Sequence, residues 1–148
     1  MSVFAPRALL TAIPVVLSLA SCRPATTSSS PPERPVVNVT MTEYAFDYTE
    51  PVPRGQAVFQ IVNAGKLNHR LILAPVPDDY PPVLHQLRGE ERRPIEPIAG
   101  IPNRPPGDKT TFAVNLSPGR YYIICFVQDR DGQTHAHKGM AAEFRVST

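Results

Sequence analysis

The sequence predicts an all-β fold, a Greek-key sandwich over residues 36–148 with a long, partly helical insertion. Three observations carry this. Short apolar runs recur at close spacing, with turn residues between them, as strands of a sandwich do. The chain has 18 prolines and no tryptophan among 148 residues, a composition that points away from a helical bundle. No internal repeat and no heptad pattern runs through it.

The elements follow in order. Val36 to Thr42 alternates weakly, and Tyr44-Ala45-Phe46-Asp47-Tyr48 continues as an extended aromatic run. Pro51-Val52-Pro53-Arg54-Gly55 breaks it. Ala57 to Asn63 reads as a strand with Phe59 and Ile61 on one face, and His69 to Ala74 as the next after Ala64-Gly65-Lys66. Thr110 to Leu116 sets Phe112, Val114 and Leu116 together. Ser117-Pro118-Gly119 turns the chain into Arg120 to Val127, the most strand-like segment, with Tyr121, Ile123 and Cys125 on one face. Ala142 to Ser147 closes the set, and the whole is expected to be antiparallel. Asp78 to Asp108 stands apart, rich in Pro, Arg and Glu, with Val83 to Glu91 briefly helical. Its length marks it as a functional loop or a solvated surface insertion. His85 in it reads as an exposed helix residue.

The N-terminus carries a different signal. Arg7 precedes an apolar run from Ala8 to Ala20, too short for a permanent membrane span and right for a secretory signal. It ends in Leu19-Ala20-Ser21-Cys22, which resembles the lipobox of bacterial lipoproteins. That resemblance implies a signal peptide at 1–21, lipid on Cys22, and a domain anchored to a membrane and facing the periplasm or the outside. Residues 22–35 are rich in Pro, Ser and Thr and predict a tether, since they offer little apolar surface to offset the entropy of ordering. Arg7 is the only charge in the signal, and the whole chain has a formal charge of +2. So small a charge gives no electrostatic reason to expect a nucleic-acid partner.

With Cys22 lipidated, Cys125 is the remaining thiol and no internal disulfide can form. Such a thiol in an oxidising compartment calls for burial or a metal. Downstream lie His135, His137 and Met140; upstream, His69 opens a strand. A thiolate, two imidazoles and a thioether suit a blue-copper site, with the thioether as weak axial ligand. Asn68 is a candidate brace for the His69 loop.

VNAGKLNH, LSPGRYYIICF and HAHKGM, taken in order, resemble the cupredoxin family of plastocyanin-like and azurin-like proteins. The resemblance covers about Val36 to Thr148. It implies a Greek-key sandwich of about eight strands binding one copper through His69, Cys125, His135 and Met140. His135 is favoured over the alternative ligand His137 by its four-residue spacing to Met140. The nine-residue interval from Phe126 to Thr134 is longer than in plastocyanin-like members and closer to the copper domain of nitrite reductases.

The functional expectation is a tethered one-electron carrier that meets an unidentified redox partner through an edge of His135. A copper-delivery lipoprotein and a metal-free interaction module are the other readings. An enzyme is not expected: no second His-rich motif, serine with a base partner or phosphate-cradling Gly loop occurs.

Overall fold

Two four-stranded sheets face each other in the computed structural model, which describes Met1, residues 33–89 and residues 93–148. The expected signal peptide beyond Met1, Cys22 and most of the tether lie outside the described residues, as do residues 90–92. Among the described residues no helix is long and apolar enough to cross a membrane.

The strands are β1 (Val36–Thr42), β2 (Ala45–Tyr48), β3 (Gly55–Asn63), β4 (His69–Val76), β5 (Ala99–Arg104), β6 (Lys109–Leu116), β7 (Gly119–Ile124) and β8 (Ala141–Val146). One sheet runs β2-β1-β3-β6 and the other β5-β4-β7-β8, so the chain changes sheet at β3–β4, β5–β6 and β6–β7. Period-two alternation explains the first sheet. Val37, Val39 and Met41 from β1 and Ala57, Phe59 and Ile61 from β3 point inward, while intervening residues face outward. They meet Leu71, Leu73, Tyr121, Ile123 and Phe144 of the other sheet, with Cys125 just past β7, in one core. Phe112 on β6 stacks on its cross-strand partner Phe59 at 5.1 Å.

Three sequence expectations need correction. The sandwich is not wholly antiparallel: β1 pairs in parallel with β3, because the β1–β2 hairpin folds to the outside and leaves β1 next to β3. The insertion is partly helical, as expected, but its helix is shorter than expected. Its helix, α1, covers only Val83–Leu87, and Ala99–Arg104 is a strand on the edge of the second sheet. Nor is the stretch simply solvated. Val83, with Tyr80, Leu87 and Ile95, covers the outer face of the second sheet at Ala74, Val76, Tyr122 and Ile124. β7 is therefore covered on both faces, which is why its sequence is an apolar run rather than an alternation. His85 is exposed on α1, as expected.

Candidate metal centre

One end of the sandwich gathers a histidine from the start of β4 and the segment between β7 and β8. Asn63, the last residue of β3, organises the approach to His69. Its buried side chain donates to the carbonyls of Leu67 and Arg104, both at 2.9 Å, and accepts the Gly65 N–H at 3.0 Å. The bend is thus tied from within by Asn63, whereas Asn68, the candidate brace, is exposed. Glu43, in the two-residue turn between β1 and β2, ties the bend from outside. Its carboxylate accepts the N–H groups of Lys66 and, at 3.1 Å, Leu67. The Lys66 N–H, foremost, holds the Glu43 carboxyl below its ordinary range.

The second segment starts at Cys125, one residue past the end of β7. The strand was expected to run to Val127, but here the backbone leaves the ladder to fold a compact loop. Cys125 N–H donates to the Met140 carbonyl at 3.1 Å, and Ala136 N–H returns to Cys125 at 2.8 Å. The nine residues between Cys125 and His135 are not slack. Gln128 bridges to Thr134, Asp129 N–H reaches Gln133, and His135 N–H reaches Val127 at 2.8 Å. Met140 N–H donates to the His135 carbonyl at 2.9 Å.

These two segments set His69 Nδ1 3.0 Å from His135 Nδ1, and Cys125 Sγ 3.6 Å from that same nitrogen. The three donor atoms all lie within 4.8 Å of one another. His69 and Cys125 are 0% exposed and His135 is 1% exposed. Met140 is equally buried and packs in the core cluster that includes Cys125. His137 is not brought to the cluster: it is exposed, with Nδ1 2.7 Å from the Thr134 hydroxyl.

The donors fit a transition-metal ion. Two nitrogens and a sulfur bound at about 2.0–2.3 Å to one ion stand roughly 3–4 Å apart; the two pairs that share His135 Nδ1 have that spacing, at 3.0 and 3.6 Å. Burial pushes the pKa of both imidazoles down, and for His69 the neighbouring His135 adds to it. Neutral rings offer the lone pairs a metal needs. Burial pushes the Cys125 thiol up, while the Arg70 N–H, 3.4 Å from Sγ, opposes that shift. A bound cation reverses the balance and leaves a coordinating thiol deprotonated.

The His135 ring, through an edge of which the sequence expects electrons to pass, is covered. The Tyr44 ring lies edge-on against the imidazole with centroids 5.3 Å apart. The Tyr44 hydroxyl donates to Asp129 at 2.5 Å, and Lys138 joins Asp129 and Asp131 at 2.7 Å each. Glu43, Tyr44, Asp129 and Lys138 were not picked out from the sequence. No local sequence signal announces them: Tyr44 and Asp129 stand 85 residues apart, and only the fold brings them together.

A two-sheet sandwich with a buried His, Cys and His gathered at one end has the cupredoxin architecture. Solved structures bear this out. Reduced auracyanin from the photosynthetic bacterium Roseiflexus castenholzii superposes with a TM-score of 0.55 at 20% identity, over 78% of this chain and 98% of that one. Auracyanin B gives 0.50 at 18%, over 78% of this chain and 92% of its own. Rusticyanin from Thiobacillus ferrooxidans gives 0.50 at 18%, over 78% and 79%. At such identities the likeness defines the fold. No family model and no curated protein sequence matches the chain.

Proposed function

We propose that this chain is a lipid-anchored envelope protein that holds one copper ion at His69, Cys125, His135 and Met140 and carries single electrons. The observation that carries the reading is the convergence of two neutral imidazole nitrogens on a buried thiol that has no disulfide partner among the described residues. Copper bound there would supply a one-electron couple, with the thiolate favouring the cuprous state and the imidazoles accepting both. The protein's part is rigidity. Core packing around Cys125, the main-chain bonds of the His135 loop and the Asn63 brace hold the donors in one arrangement. Burial excludes water from the donor atoms, and Tyr44 packs edge-on against His135. The anchor at Cys22 rests on the lipobox-like LASC segment, and it would keep the carrier at a membrane surface near its redox partner.

The delivery reading has less support. It needs donors open to exchange, and the exposed His137 is turned to Thr134 instead. The test is the visible spectrum of the purified full chain loaded with Cu(II). A strong band towards the red, from thiolate-to-copper charge transfer, is expected. Cys125→Ala should abolish it, His135→Ala should bleach it, and His137→Ala should leave it. A colourless tetragonal Cu(II) complex would support delivery. Failure to bind stoichiometric copper would end the proposal.

A further inference from the structure

We infer that Glu43 is a positioning residue for His69: its carboxylate accepts the imidazole Nε2–H and so selects the ring tautomer whose Nδ1 faces Cys125 and His135. The inference rests on reading His69 as a metal ligand through Nδ1.

His69 is 0% exposed, and its Nε2 has no hydrogen-bond partner. A neutral imidazole carries its proton on one nitrogen only, and a metal on Nδ1 puts it on Nε2. A buried N–H then needs an acceptor. The carboxylate oxygen facing it is Glu43 Oε1, at 3.9 Å. That oxygen is already held by the Lys66 and Leu67 N–H groups. Its backbone is fixed by the Thr42–Ala45 pair that closes the turn. Closing the gap to hydrogen-bond distance takes a shift of roughly 1 Å at the end of a flexible side chain.

Gly65 gives an independent sign that this approach is built in. A Cβ at residue 65 would stand 2.6 Å from Glu43 Oε1 and 2.9 Å from His69 Nε2. The missing side chain leaves the space in which carboxylate and imidazole meet. A carboxylate behind a ligating imidazole fixes its orientation and raises its basicity, and losing such a partner weakens metal binding by about 10–100-fold. The added negative charge also favours the higher oxidation state and so lowers the potential.

The experiment uses the full chain with Glu43→Ala and Glu43→Gln. In the metal-free protein, ¹⁵N NMR of the His69 ring should show the Nε2–H tautomer in the parent and a mixture in Glu43→Ala. Cu(II) affinity should fall about 10–100-fold in Glu43→Ala. Glu43→Gln keeps an acceptor oxygen without the charge, so it should retain the tautomer, recover part of the affinity and raise the reduction potential. A loop brace alone would change the melting temperature without moving tautomer or potential, and that result overturns the inference. So does an Nδ1–H ring in the parent. If Glu43→Ala does not fold, an unchanged potential and affinity in Glu43→Gln overturn it. If the parent binds no copper, the functional reading fails, and the ring tautomer still decides the role of Glu43.

Discussion

Replacing Asn63 with Ala should destabilise the domain strongly. The side chain is fully buried and makes three hydrogen bonds, all to main-chain groups of Gly65, Leu67 and Arg104. At a net 1 kcal/mol or so each, the loss is about 3 kcal/mol, and more if the freed carbonyls find no water. For a domain of this size that lowers the melting temperature by roughly 10–15 °C. Thermal denaturation of the metal-free full chain, followed by circular dichroism, measures it. Asn68→Ala is the control: the residue is exposed, and its substitution should stay within about 0.5 kcal/mol. A fall of under about 3 °C for Asn63→Ala, or equal falls for both, would refute the assignment of the brace to Asn63.

Other outcomes follow from the same geometry. Gly65→Ala should displace the Glu43 carboxylate and weaken copper binding, read by competitive titration, because its Cβ would stand 2.6 Å from Oε1. Met140→Leu should keep copper and raise the reduction potential measured by voltammetry, since a weak thioether donor stabilises the oxidised ion. Lys138, with help from the Tyr44 hydroxyl, depresses the Asp129 carboxyl below its ordinary 3.8. A folded-state value below the unfolded one makes this contribution complete above about pH 4 and lost as pH falls further. Melting temperature should therefore drop below pH 4, and by less in Lys138→Met, in which the carboxyl is less depressed.

Seven of the eight strands were legible because each sets apolar side chains to a core at period two or runs apolar where both faces are covered. Their observed ends differ by at most three residues from those expected. β5 was not legible. Its AGIPNR sequence buries only Ile101, and Gly100 is there because a Cβ would come 2.5 Å from the Leu71 carbonyl oxygen. Pairing with β4, not local preference, makes it a strand. Donor chemistry and spacing brought out the residues that could hold the metal, but not those that stand behind them. Tyr44 read as the start of an extended run, yet it takes φ +62° in a turn. That left-handed conformation costs a non-glycine residue about 1–2 kcal/mol, offset here by contacts to His135 and Asp129 that no local pattern announces.

The first and second segments of the centre lie far apart along the chain, His69 and His135 being separated by 66 positions. A metal gripping both would act as a removable cross-link. Pinning a loop of that length restricts the unfolded chain by about 4 kcal/mol in the chain-entropy view applied to disulfides. A domain whose single described thiol rules out a covalent staple of its own would thus gain a reversible one. Its resistance to unfolding, and to the proteases that sample unfolded chains, would then follow the copper supply of its surroundings.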